Sequence, residues 1–121
     1  MDKELFDYVA ERAKVLAKTS DSKQETKDAA QAWLNATSNA DAVTADAATE
    51  RFLDYLDGRP NSVDSLIAFA QGPAVAVMGE EAAAGLLAQA REHKVKGGKY
   101  CTCQACTAAS EILAKFGRIE L

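Results

Sequence analysis

Lys99-Tyr100-Cys101-Thr102-Cys103-Gln104-Ala105-Cys106 holds all three cysteines of this 121-residue chain within six positions. From Cys103 onward, Cys106, Ala109, Leu113 and Phe116 recur at spacings of 3, 4 and 3, which lays one apolar face along a helix. Gly117 supplies its C-cap, and Gly97-Gly98 separates the segment from the helix before it. The cysteines therefore sit at a loop-to-helix junction. The rest of the chain reads as a helical scaffold that positions them.

Alanine occupies 25 positions against 7 glycines and 2 prolines. It is the best helix former and a poor strand former, so the composition favours an all-α fold with closely packed helices. With so few large side chains, the aromatics, Trp33 foremost, must supply much of the buried area. The spacing predicts a compact bundle of five to six helices in a single domain over 1–121. Asp2 caps a first helix whose inner face is Leu5, Phe6, Val9, Ala13, Leu16 and Ala17. Ser22-Lys23-Gln24-Glu25 matches a capping box opening a second helix, which runs to about Thr37 and pairs with the first as an antiparallel hairpin. A third runs from about Asp41 to Asp57 and stops at Gly58 and Pro60; Ser62 caps a fourth, which ends at Gly72-Pro73. Ala74-Val75-Ala76-Val77-Met78 is the one stretch that competes as a strand, but with no partner strand it reads as a short helical turn closed by Gly79. The next helix runs from Glu80 to about Lys96.

A net charge of −4 excludes a general nucleic-acid binder, which carries a basic face. No stretch approaches the roughly 20 apolar residues of a membrane span. The opening Met1-Asp2-Lys3-Glu4 lacks the basic and apolar regions of a signal peptide. The expectation is a cytoplasmic protein with reduced thiols, which an odd cysteine count fits. Nucleophile elbows, phosphate loops and Rossmann fingerprints are absent from the sequence. The carboxylate pairs Asp54/Asp57 and Glu80/Glu81 read as solvated faces.

The cysteines carry the chemistry. Cys103-Gln104-Ala105-Cys106 has the two-residue spacing that lets two thiolates meet one ion, and Cys101 can reach the same point. Tetrahedral zinc takes four ligands, and His93, the one histidine, is the expected fourth, folded back across Gly97-Gly98. Such a Cys₃His set of Cys101, Cys103, Cys106 and His93 suits zinc or copper(I). Two other readings stand beside it. Cys103 at a helix start, with Cys106 as a resolving thiol and Arg91, Lys94, Lys96 and Lys99 nearby, suits redox chemistry or redox sensing. Alternatively Cys106, in phase with Ala109 and Leu113, is a small core hydrophobe, and His93 packs with Leu86 and Ala90.

The same cysteine segment, followed by Ala109, Ile112 and Leu113, resembles a family of small, largely uncharacterised bacterial proteins, chiefly from anaerobic Gram-positives. Met1-Asp2-Lys3-Glu4-Leu5-Phe6-Asp7-Tyr8 and Leu66-Ile67-Ala68-Phe69-Ala70 share that resemblance. It implies a compact helical domain of unassigned activity, and some members carry a heat-shock or chaperone label, a hint of a stress-related role. The resulting expectation is a helical binding or interaction module rather than a turnover enzyme, with zinc as its cofactor. A protein partner or a second copy is the expected company, with no nucleic acid and no membrane.

Overall fold

The structure, a computed structural model, describes residues 2–121. The described residues form seven helices and no strand: α1 (Lys3–Lys18), α2 (Gln24–Thr37), α3 (Ala42–Leu56), α4 (Val63–Gln71), α5 (Pro73–Met78), α6 (Glu80–Val95) and α7 (Gln104–Lys115). The count exceeds the expected five to six because Gly72-Pro73 and Gly79 cut out 73–78 as a helix of its own. Pro73 stands at its first turn and Gly79 closes it at φ 88°. No helix among the described residues is long and apolar enough to cross a membrane.

Most ends follow local chemistry. Asp2, Asp41 and Ser62 accept main-chain N–H groups of the first turns of α1, α3 and α4. The capping box at Ser22 does not form. Lys23 occupies the N-cap of α2 without a side-chain bond, and the Ser22 hydroxyl is turned inward, buried and without a hydrogen-bond partner. The turn after α1 causes this: the Ser22 N–H is drawn back to the Thr19 carbonyl at 3.2 Å, which points the residue at the core and delays α2.

The helices pack in two groups. α1, α2, α3 and α7 close a ring, each against its neighbours, around Val9, Leu16, Trp33, Phe52, Leu56 and Ile112. Trp33 is the hub, with its ring 5.4 Å from Phe6 and 6.0 Å from Phe52, centroid to centroid. Its Nε1–H donates to Thr49 Oγ1 at 2.9 Å, so burial leaves no polar atom of the indole unpaired. The segment between α3 and α7 makes the second group: α4, α5 and α6 pack on one another and meet the ring where Cys106, at the start of α7, shares a core with Leu66 and Ala90. The groups are joined by the segments around Asn61 and Cys101. There Val63 N–H donates to the Lys99 carbonyl at 2.9 Å and Cys101 N–H to the Asn61 carbonyl at 2.7 Å, around an antiparallel bridge of Ser62 and Tyr100. A second, smaller core of Leu66, Ala90, Cys101 and Cys106 fills this seam.

Candidate metal centre

The three cysteines meet at the seam. Cys101 and Cys106 are buried, Cys103 is half-buried, none is in a disulfide, and their Sγ atoms all lie within 4.8 Å of one another. Each sulfur also accepts one main-chain N–H. Cys101 takes that of Cys103 at 3.5 Å, Cys103 that of Cys106 at 3.3 Å, and Cys106 that of Asn61 at 3.4 Å. The Cys106-to-Cys103 bond is also the N-cap of α7, a sulfur doing the work usually given to a Ser or Asp oxygen. Sequence spacing placed these residues together, because they are five residues apart at most across the start of α7.

Two partners of the site come from elsewhere in the chain. Asn61 uses both its main-chain groups, its N–H on Cys106 and its carbonyl on the N–H of Cys101, and so ties the two buried cysteines together. Asp21 Oδ2 accepts the N–H of Gln104 at 3.0 Å, and Thr19 Oγ1 donates to Gln104 Oε1 at 2.9 Å, so the α1–α2 turn holds the start of α7. The sequence reading missed both. Asn61 acts through its peptide groups, which every non-proline residue has, and no residue-type signal exists for that role.

His93 is not brought to the sulfurs. The diglycine that was to fold it back is used instead to end α6. Gly97 takes φ 93° at the C′ position, its N–H bonds to the Lys94 carbonyl, and the Gly98 N–H bonds to the His93 carbonyl at 2.8 Å, a Schellman closure. In that turn the imidazole lies against Gly98, in the space a Cβ there would fill. The group of potential ligands within 4.8 Å is the cysteines alone. Gly98→Ala should therefore push the half-exposed ring aside at a small cost, under about 1 kcal/mol in urea unfolding. Combined with His93→Ala, the same change should cost under about 0.5 kcal/mol more than His93→Ala alone, since the obstacle is gone. A full cost in the double variant would show that the backbone, not the ring, resists.

The electrostatics single out Cys103. Its thiol is lowered from 9.0 to about 6, first by the hydrogen bond from the Cys106 thiol, then by the Cys106 N–H and the Cys101 thiol, against burial and the Asp21 charge. The Cys106 thiol is pushed up, because it gives its proton to Cys103 and is buried; burial also raises Cys101. One negative charge is thus held among three sulfurs. The basic residues flanking the loop do not supply the effect: Lys94, Lys96 and Lys99 pair with Asp64, Glu92 and Glu120. Alkylation of the metal-free, reduced protein at pH 7 should label Cys103 first, with a rate midpoint near pH 6; a midpoint near 9 on all three would contradict this arrangement. The sign for stability follows. Between about 6 and 9 the fold binds fewer protons at Cys103 than the unfolded chain does, so its contribution is present above 9 and lost as pH falls through 6. Cys101 and Cys106 act oppositely, their contribution being lost as pH rises above the free-thiol value of 9.0.

No protein-family model, curated protein or solved structure matches this chain.

Proposed function

We propose that this chain is a small helical metal-binding module in which Cys101, Cys103 and Cys106 hold one soft cation, zinc or copper(I), at the seam of its two helix groups. The observation that carries the reading is the convergence of three Sγ atoms within 4.8 Å, each supplied with a main-chain N–H. Thiolates bound to zinc at about 2.3 Å in a tetrahedron stand about 3.8 Å apart, a separation reached here by small side-chain adjustments. The N–H groups offset the charge that three thiolates would accumulate, as outer-shell donors do in thiolate sites. The chain's own contribution ends at three donors. His93 is occupied at Gly98, and the fourth position is left to solvent or to a bound molecule.

Elemental analysis of protein purified without chelator or added metal tests the proposal. About one zinc or copper per chain is expected, unchanged in His93→Ala and lost in Cys106→Ser. A content near zero after exposure to either ion overturns it. Loss in His93→Ala would instead return the histidine to the ligand set.

One observation favours a second reading, thiol–disulfide exchange: an acidic Cys103 at a helix start beside a protonated Cys106. Cys103 thiolate would attack one sulfur of a disulfide and expel the other as thiolate. Cys106, losing its proton, would then attack Cys103 Sγ and release the second thiol. A Cys103–Cys106 disulfide formed stoichiometrically from oxidised glutathione supports this reading, and persistence of the mixed disulfide at Cys103 counts against it.

A further inference from the structure

We infer that the cleft between the α4–α6 group and the cysteine loop binds a small, neutral, apolar thiol whose sulfur becomes the fourth donor to the ion. This inference rests on the three-thiolate reading above and adds the class of molecule the site takes.

The cleft measures about 650 Å³ and is bounded by Leu66, Phe69, Met78 and Leu86, with Cys101 and Cys103 in the same lining. That is the volume of a small-molecule site; the four apolar side chains share its wall with the neutral polar Asn61, Ser65, Gln89 and Thr102, and such a mix of apolar surface and directing groups is usual there. Phe69 and Met78 are 36% and 41% exposed. Single exposed hydrophobes are ordinary, but these two share one concavity with two further apolar side chains and two sulfurs, which is a reason for a ligand to displace water there. Charge narrows the class. The one ionisable carboxylate or base in the lining is Asp21, an acid, so anionic molecules such as glutathione or a phosphate find no counter-charge in the lining. Coordination narrows it again. Three thiolates leave one place on a tetrahedral ion, and a soft donor matches the other three. A thiol binds there as thiolate, its proton passes to solvent, and the solvent molecule on the ion leaves; no oxidation state changes.

Cobalt(II) in place of zinc makes the fourth position visible through its sulfur-to-metal absorption. Cobalt-loaded protein would be titrated with ethanethiol, 1-butanethiol and 3-mercaptopropionate, thiols that differ in apolar length and charge. The expected result is about tenfold tighter binding of butanethiol than ethanethiol, since each buried methylene contributes a few-fold, with mercaptopropionate the weakest. Phe69→Ala, an exposed position on α4, should narrow the butanethiol advantage to under about threefold. Should that variant not fold, Met78→Ala on the exposed face of α5 asks the same question. Equal affinities along the series, or an advantage that both variants leave intact, overturn the cleft while the metal site stands. Protein that takes up neither cobalt nor zinc overturns the three-thiolate reading and this inference with it.

Discussion

Replacing Cys103 with serine should abolish the stabilisation that zinc confers while leaving the metal-free protein, compared below pH 6 where the thiolate contribution is lost, as stable as before or slightly more so. The asymmetry arises because Cys103 does two jobs. As a ligand it is irreplaceable, since a serine hydroxyl is a hard, neutral donor and zinc sites of this kind rest on thiolate charge. As the N-cap of α7 it accepts the Cys106 N–H, and serine oxygen is among the best acceptors for that position. Zinc at a hundredfold excess over its Kd stabilises a protein by about 2.7 kcal/mol, which for a chain of this size raises Tm by about 10 °C. Wild-type protein melted with and without zinc should show that shift, and Cys103→Ser should show none. Cys106→Ser should lose the shift and also melt lower without metal, because the smaller serine leaves a gap in the core of Leu66, Ala90 and Cys101 and reaches less far toward the Asn61 N–H. If the three thiols only pack, zinc moves no melt and Cys106 alone is sensitive to substitution.

Trp33→Ala should cost about 3–5 kcal/mol in urea unfolding, the largest loss of any single change in the ring of α1, α2, α3 and α7. The indole is 2% exposed and lies between Phe6 and Phe52, so its removal would leave a cavity at the centre of the ring of helices. Its hydrogen bond adds little to the cost. Thr49 Oγ1 also donates to the Ala45 carbonyl at 2.8 Å, so losing the indole N–H does not orphan the hydroxyl. Trp33→Phe should recover much of the loss by restoring ring contact. A loss below about 1.5 kcal/mol in the alanine variant would mean that the ring is loosely packed at its centre.

The helices were readable because their signals are local. A capping Asp or Ser, an apolar stripe every third or fourth residue and a glycine at the end all act within one or two turns, and they located α1, α3, α4, α6 and α7 to within a residue or two. Where such a signal failed, a neighbouring bond had prior claim. Ser22 had the right spacing from Glu25, but the turn after Thr19 spun it inward, and a sequence pattern carries no record of that competition. The cysteine triad was legible for the same reason as the helices: its members are five residues apart at most, across the start of α7.

What the order of residues by itself determined is therefore the all-helical character, the cap at each clear helix start, and three sulfurs in one place. Only the tertiary structure decided that the helices divide into a ring of four and a group of three, and that the sulfurs lie on the seam between them. It also decided that Asn61 and Asp21 hydrogen-bond to the cysteine segment and that His93 lies outside the group of sulfurs. The physical reason is range. Helix periodicity and short cysteine spacings are set by dihedrals of adjacent residues, whereas Asn61 reaches Cys106 across 45 positions through a main-chain N–H that carries no residue-type signature. The His93 ring lies against Gly98 and outside the group of sulfurs, a placement set by the folded turn.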